Sequence, residues 1–183
     1  MFKKISRTVI AVVLSMMFIV QPVFAQKQLP PKHDFTIIAS NGEIFYGDIF
    51  EKVEIANSPA NGLKADALLA ASGCKNLTNG INIYDNLNLL VARYSQTVNW
   101  CYNGSTITSV SHTKNPVSYT YIYKYNGLVG HLHNGGQSST TYRAYSVAWF
   151  CERLENLCFT HFYPAVDQTV RGDGTYSGSA TMQ

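Results

Sequence analysis

The sequence predicts an all-β protein, namely an antiparallel β-sandwich of the immunoglobulin-like or jelly-roll-like kind with one short N-terminal helix and two disulfides. Short runs of alternating polar and apolar residues recur along the chain, which is the pattern of half-buried strands. Six Asn-Gly dipeptides lie among these runs, and Asn-Gly favours tight hairpin turns. The four cysteines are an even number, as two disulfides require. Strands that do not alternate with helices argue against a βαβ fold.

The first 25 residues have the features of a secretory signal peptide. Lys3, Lys4 and Arg7 give a basic start, an apolar run follows at residues 9–20, and Ala25 suits signal peptidase. The apolar run is shorter than the about 20 residues that a membrane-spanning helix needs. We therefore expect cleavage after Ala25, a secreted mature protein, and no transmembrane segment in that protein.

The charge of the mature chain argues against a nucleic-acid partner. The full sequence has 14 Lys plus Arg and 11 Asp plus Glu, and three of the basic residues belong to the predicted signal peptide. The mature chain is therefore formally neutral. Nucleic acids and anionic membranes require clustered Lys and Arg, which this composition does not supply.

The start of the mature chain is predicted to be a leader followed by strands. Residues 26–34 contain two consecutive prolines and scattered charges, so we expect a flexible leader. Residues 35–39 and 43–46 flank Asn41-Gly42 and predict a first hairpin. Residues 49–55 predict a further strand.

One helix is predicted, at residues 63–72. Ala, Leu and Lys favour it, Asn61 is a possible N-cap, and Gly73 is placed for a C-cap. With the preceding hairpin this helix makes residues 35–78 a small N-terminal segment, which is either a subdomain or a propeptide. Residues 79–183 are then the β-sandwich domain.

The clearest hairpin of that domain is predicted at residues 93–110. Its first half alternates polar residues with aromatic and apolar ones, and Asn103-Gly104 suits a type I′ turn. Such a turn places Ile107 opposite Trp100, a stabilising pair of an aromatic and a β-branched side chain. We expect Trp100 in the core.

A tyrosine-rich strand is predicted at residues 118–125, followed by a chain reversal at Asn126-Gly127. Four tyrosines share one side of it, at positions 119, 121, 123 and 125. We expect this side, Tyr121 included, to face the core. Further strands and turns are predicted at residues 81–92, 143–151, 159–170 and 172–174.

Two disulfides are expected, because all four cysteines lie in the part of the chain that would enter an oxidising compartment. Cys151 and Cys158 flank a polar connection between two strand-like runs, so this pair is predicted to close a hairpin. Cys74 would then bond to Cys101. A zinc site built on these cysteines is the alternative, but the chain has no Cys-x-x-Cys pair.

His131 and His133 are the candidate metal ligands. Two histidines separated by one residue on a strand point the same way, about 7 Å apart. His112 or His161 could supply the third nitrogen of a zinc site. The alternative is that both histidines flank Leu132 on a solvent-facing side. No other cofactor is expected.

Tyr142, Tyr145 and Tyr163 are the candidate ligand-binding residues. Tyr and Trp offer flat faces to sugar rings or protein partners and bury a large area with few rotatable bonds. Glu152 and Glu155 could form a carboxylate pair for glycoside hydrolysis, although carboxylates in a loop are normally solvated. The sequence has no serine-hydrolase, phosphate-loop, zinc-protease or dinucleotide motif, so no catalytic residue is predicted.

Several motifs carry a resemblance. They are Trp100-Cys101-Tyr102-Asn103-Gly104, Ile107-Thr108-Ser109-Val110, Phe150-x7-Cys158, Tyr163-Pro164 and Gly172-Asp173-Gly174-Thr175-Tyr176. With these motifs residues 94–176 resemble a group of small exported proteins of Gram-positive bacteria that have no known function. The resemblance implies a shared β fold and export, and it implies no catalytic residues.

The sequence therefore favours a secreted, disulfide-stabilised binding protein without a catalytic centre, whose partner is a cell-wall or extracellular glycan or another protein. A zinc-dependent extracellular hydrolase that uses His131 and His133 is the first alternative. A secreted toxin or bacteriocin-like protein is the second, because residues 118–125 and 138–146 alternate as membrane-active strands do.

Overall fold

Two antiparallel sheets of five strands each make up the described part of the computed structural model, which covers residues 32–39, 41–56, 72–154 and 157–183. The first sheet contains, in spatial order, β1 (Phe35–Ile38), β2 (Ile44–Ala56), β3 (Gly73–Tyr84), β4 (Leu90–Tyr102) and β5 (Ile107–Ser118). The second contains β10 (Tyr176–Met182), β9 (Pro164–Arg171), β7 (Thr141–Leu154) and β6 (Tyr123–Gly135), with β8 (Leu157–Phe162) also paired to β7. The all-β prediction is confirmed, and no helix occurs in these ranges.

The N-terminal strands belong to the first sheet. β2 pairs with β3 from Tyr46 opposite Tyr84 to Ala56 opposite Cys74, so the predicted boundary between residues 78 and 79 falls inside β3. The predicted signal peptide and residues 63–71 of the predicted helix lie outside the described residues. No helix in the described ranges is long and apolar enough to cross a membrane.

The hairpin between β4 and β5 has a different turn from the predicted one. Asn103 Oδ1 accepts hydrogen bonds from the backbone N–H groups of Ser105 at 3.1 Å and Thr106 at 2.8 Å. Because the asparagine side chain holds these two donors, the loop is longer than a two-residue type I′ turn. Ile107 therefore pairs with Tyr102, and Trp100 pairs with Val110. Trp100 itself lies in the core, 1% exposed, as predicted.

The prediction for the tyrosine-rich segment is wrong. β5 ends at Ser118 and β6 begins at Tyr123, so residues 119–122 form the bend between the two sheets. Thr120 Oγ1 accepts from the Tyr123 N–H, and Ser118 Oγ accepts from the Tyr125 N–H, both at 3.2 Å. These hydroxyl groups accept hydrogen bonds from backbone N–H groups that would otherwise pair with a neighbouring strand.

As a result Tyr121 is 82% exposed, whereas Tyr123 is buried. The expected reversal at Asn126-Gly127 is also wrong, because both residues lie inside β6 at an irregularity of its pairing with β7. A strand can absorb an extra residue in such a bulge without reversing direction.

The sheets enclose two clusters of buried apolar side chains. The first contains Phe45, Ile81, Ile83, Val91, Ala92, Tyr94, Tyr123, Ala148, Phe150, Phe162, Val166 and Ala180. The second contains Leu77, Val98, Trp100, Ile107, Tyr142, Ala144 and Val170. Each cluster takes residues from β3, β4, β7 and β9, so both of them bridge the two sheets.

Buried polar side chains separate the two clusters along each of these strands. Gln96 Nε2 donates to Gln168 Oε1 at 3.0 Å, and Ser146 Oγ donates to Gln96 Oε1 at 2.6 Å. Tyr94 OH donates to Ser146 Oγ at 2.5 Å, and Gln168 Nε2 donates to Asn79 Oδ1 at 2.9 Å. Burial raises the pKa of Tyr94 to about 12, so the phenol stays protonated in this layer. A buried network of this kind specifies one register between the sheets.

Both predicted disulfides are confirmed. Cys74 and Cys101 are directly opposite on β3 and β4, with their Cα atoms 4.0 Å apart. Cys151 on β7 is bonded to Cys158 on β8, with their Cα atoms 5.7 Å apart. The chain has no free cysteine.

Candidate functional site

The second sheet presents an aromatic outer face. Along β7 alternate residues point into the core, namely Tyr142, Ala144, Ser146, Ala148 and Phe150, all of them buried. The residues between them point outward, which places Tyr145, Val147 and Trp149 on the outer face, where Val147 is only 4% exposed. His161 is opposite Cys151, and Asp167 is opposite Tyr145. Residues directly opposite each other on antiparallel strands lie on the same face, so His161 and, two residues later, Tyr163 also lie on the outer face.

Three of these rings form what we call the aromatic row, which is Trp149, His161 and Tyr163. The ring centroids of Trp149 and His161 are 5.9 Å apart with planes 29° apart, and those of His161 and Tyr163 are 6.2 Å apart with planes 9° apart. Trp149 Nε1 donates to His161 Nδ1 at 3.0 Å. This bond requires an unprotonated Nδ1, so it selects the neutral tautomer of His161 that carries its proton on Nε2.

The second disulfide lies against the aromatic row. Cys158 Sγ is 3.5 Å from His161 Nδ1, and buried Cys151 is the strand partner of His161. The bond between these cysteines fixes β8 to the end of β7. It therefore holds His161 in place between the other two rings.

A polar cleft lies on the same outer face. Its volume is about 420 Å³, and its lining residues are Arg143, Asp167, Thr169, Ser177, Gly178 and Ser179. Arg143 Nε donates to Asp167 Oδ1 at 2.9 Å, and Arg143 Nη2 donates to Asp167 Oδ2 at 2.5 Å. These hydrogen bonds raise the pKa of Arg143, so the guanidinium stays charged. The cleft offers both charges and hydroxyl groups to a ligand.

The structure separates the three candidate tyrosines. Tyr145 and Tyr163 share the outer face, where the Tyr145 hydroxyl accepts from Gln183 Nε2 at 2.8 Å. Tyr142 points inward, is 5% exposed, and its hydroxyl is 2.6 Å from His112 Nδ1. Tyr142 is therefore part of the core, and we leave it out of the candidate surface.

Trp149 and His161 complete this surface, although the sequence did not mark them as partners of Tyr163. From the sequence, Trp149 is one of two tryptophans whose flat faces suit stacking on sugar rings or a protein partner, and His161 is only a possible third zinc ligand. The alternation of inward and outward residues along β7, β8 and β9 is the sequence signal that places the three rings on one face. It identifies this face only when the register of the strands is known, and the pairing of Cys151 with His161 sets that register.

The candidate zinc ligands lie at another place, where β5 and β6 meet. The ring centroids of His112 and His133 are 5.8 Å apart, and His131 and His133 are both exposed on β6. His161 belongs to the aromatic row and is on the outer face. In the ranges that the structure describes, no group of three or more His, Cys, Asp or Glu side chains is arranged to hold a metal ion. His112 and His133 are thus the two candidate zinc ligands that the fold brings together.

The pKa of His112 is lowered, mainly by burial and then by the charges of Lys114, His133 and His131. The imidazole is therefore neutral at physiological pH.

Comparison with protein-family models, curated proteins and solved structures finds no match. The geometry of the aromatic row, the polar cleft and the histidine pair is therefore the basis for the function.

Proposed function

We propose that this protein is an exported, non-enzymatic binding protein that holds a glycan on the outer face of its second sheet. The observation that carries the proposal is the aromatic row, in which three rings with similar orientations stand on one sheet face. Aromatic rings provide the apolar contact area of such sites, and a few fixed polar groups provide orientation.

The position of the polar cleft favours a sugar. Asp167 is the strand partner of Tyr145, and Ser179 is the strand partner of Asp167, so polar groups begin where the aromatic residues end. A sugar ring has an apolar C–H face and a rim of hydroxyl groups. Its face would lie against the rings, and its hydroxyls would bond to Arg143, Asp167 and the neighbouring serines.

Export is supported by the features of the N-terminal sequence and by the two disulfides, which suit an oxidising compartment. The resemblance to exported proteins of Gram-positive bacteria makes cell-wall or extracellular glycan the preferred partner. The immunoglobulin-like or jelly-roll-like subtype stays a prediction. Neighbouring strands follow each other in sequence throughout the first sheet, and in the second sheet the pair of β7 and β9 is the exception. This order favours a meander over the Greek-key connections of those two folds.

The test is retention of the exported form, residues 26–183, on insoluble glycans. Peptidoglycan, chitin and cellulose are each incubated with the wild type, with Trp149→Ala and with Tyr163→Ala. Tyr119→Ala is the matched control, because Tyr119 is an exposed tyrosine outside this face. We expect at least one glycan to retain the wild type and the control. The same glycan should not retain either variant of the aromatic row.

Two results would contradict the proposal. One is a wild type that no glycan retains at any salt concentration. The other is a Trp149→Ala protein that is folded by circular dichroism and is retained as well as the wild type.

The second candidate function is the zinc-dependent hydrolase, and the approach of His112 to His133 is the observation that favours it. A catalytic zinc needs three protein ligands and an open position, so His131 would have to turn toward the same ion. Metal analysis of protein purified without chelators tests this. Stoichiometric zinc that His133→Ala removes would support the hydrolase, and zinc-free protein would eliminate it.

A further inference from the structure

A second cleft lies where the bend at residues 119–122 meets β7 and β8. It has a volume of about 340 Å³, and its lining residues are Asn41, Tyr121, Ile122, Glu152, Arg153 and Phe159. Glu152 stands on β7 opposite Tyr123 of β6 and Thr160 of β8. Since Tyr123 and Thr160 are buried, the carboxyl group of Glu152 is placed where the apolar core meets the cleft.

The carboxyl group of Glu152 is not fully satisfied. Its Oε2 atom is buried and has no hydrogen-bond partner among the described residues. Burial raises the pKa of Glu152, a hydrogen bond with Thr160 lowers it, and both the charge of Glu43 and a hydrogen bond with Glu43 raise it again. A buried carboxylate oxygen without a donor is costly. The group would be stabilised by a positive charge in the cleft.

No ion pair in the described ranges includes Glu152, although Arg153 lines the same cleft. Arg153 Nη2 donates to Asn126 Oδ1 at 3.1 Å. Asn41 Nδ2 bonds to Glu43 Oε2 at 2.9 Å and to Thr160 Oγ1 at 3.1 Å. The amide donor of Asn41, which lines the cleft, is thus already shared between other groups, while the carboxyl groups of Glu43 and Glu152 interact with each other.

The walls of the cleft are aromatic and exposed. Tyr121 is 82% exposed and Phe159 is 49% exposed. The face of an aromatic ring attracts a cation, and it also packs against the apolar part of the molecule that carries the cation. An ammonium group on an apolar body complements this combination of exposed rings and a carboxylate oxygen without a donor.

We propose that this cleft binds a small organic ammonium ion, with Glu152 as its counter-ion and with Tyr121 and Phe159 against its apolar part. The inference is independent of the glycan-binding proposal, because it involves no residue of the aromatic row or of the polar cleft. The charge decides the ligand class. A neutral or anionic molecule of the same shape would leave the Glu152 carboxylate uncompensated.

The test is a calorimetric titration of the exported form with benzylammonium at low ionic strength and pH 7, beside benzyl alcohol and benzoate. We expect saturable binding of benzylammonium, at least tenfold weaker binding of benzyl alcohol, and no binding of benzoate. Glu152→Gln should weaken benzylammonium at least tenfold. Glu54→Gln is the matched control, because Glu54 is an exposed glutamate paired with Lys52, and it should bind as the wild type does.

Phe159→Ala provides a second variant that leaves the carboxylate in place, and it should also weaken benzylammonium. Thermal melting confirms that each variant is folded. The proposal is overturned if the wild type does not bind benzylammonium, if benzyl alcohol binds equally well, or if Glu152→Gln binds as the wild type does. Loss of glycan retention in Trp149→Ala with unchanged benzylammonium binding would show that the two sites are separate.

Discussion

Gln96 and Gln168 face each other across the gap between the two sheets, with Nε2 of Gln96 3.0 Å from Oε1 of Gln168. Both side chains are at most 1% exposed. Gln168 Nε2 in turn lies 3.0 Å from the carbonyl oxygen of Leu77 and 2.9 Å from Asn79 Oδ1. The two amides therefore connect β3, β4 and β9 in the middle of the sandwich, where an apolar core would provide no such specific contacts.

Gln168→Leu should lower the free energy of unfolding by about 2–4 kcal/mol, because it leaves buried acceptors on Leu77 and Asn79 without their donor. Urea denaturation followed by circular dichroism measures the loss. Gln137→Leu is the control, since Gln137 is exposed in the loop before β7, and it should change stability by less than about 0.5 kcal/mol. Equal stabilities of the two variants would show that the network contributes nothing.

The sequence could not show this network. Asn79-Gly80 has the composition of a hairpin turn, yet it lies inside β3. A Cβ atom on Gly80 would be 2.5 Å from the carbonyl oxygen of Tyr94, so the glycine provides room for the neighbouring strand instead of a turn. Which of the two roles an Asn-Gly pair has depends on partners that are distant in sequence.

The predictions that succeeded depend on strong local or pairwise signals. The disulfides follow from cysteine count and spacing, and the burial of Trp100 follows from alternation along one strand. The register around Asn103 and the exposure of Tyr121 were missed, because side-chain hydrogen bonds from Asn103, Ser118 and Thr120 reshape the chain there. Alternation alone describes a straight strand and contains no information on such bends.

The stability of the protein should fall in acid because of His112. The pKa of His112 is lowered from 6.5 in the fold, so the unfolded chain binds more protons in this range and stability rises with pH. The contribution is present above about pH 6.5, the unfolded value, and is lost as the pH falls through the folded value. Melting temperatures between pH 8 and pH 5 should therefore fall less steeply in His112→Gln than in the wild type.

The groups that act on His112 provide the control for this prediction. Lys114 lies on the same strand, His131 and His133 lie on β6, and the Tyr142 hydroxyl bonds to Nδ1. Asn115→Gln changes an exposed residue of the same strand that does not titrate, so it should retain the acid slope of the wild type. A His112→Gln protein with an unchanged slope would show that His112 does not cause the acid sensitivity.

The two disulfides should differ in their contribution to stability. They join residues separated by 27 and 7 positions, and the entropy of the unfolded chain falls more when a longer loop is closed. Replacing Cys74 and Cys101 by serine should cost about 3–4 kcal/mol, and replacing Cys151 and Cys158 about 2–3 kcal/mol. Urea denaturation of the two double variants checks this order, and unchanged stability in both would contradict it.

The same variants also distinguish structure from function. The bond between Cys151 and Cys158 touches His161 of the aromatic row, whereas the other disulfide joins β3 and β4 of the first sheet. At temperatures where both variants are folded, glycan retention should fall when Cys151 and Cys158 are replaced and persist when Cys74 and Cys101 are replaced. Equal retention would show that the bond does not position the row.

Tryptophan fluorescence tests the central claim most directly, since the chain has only two tryptophans. Trp100 is buried at 1% exposure, and Trp149 belongs to the aromatic row. Soluble fragments of a retained glycan are titrated into the wild type, Trp149→Phe and Trp100→Phe. The account predicts a saturable change in emission in the wild type and in Trp100→Phe and no change in Trp149→Phe. A change that persists in Trp149→Phe, or that disappears in Trp100→Phe, would contradict it.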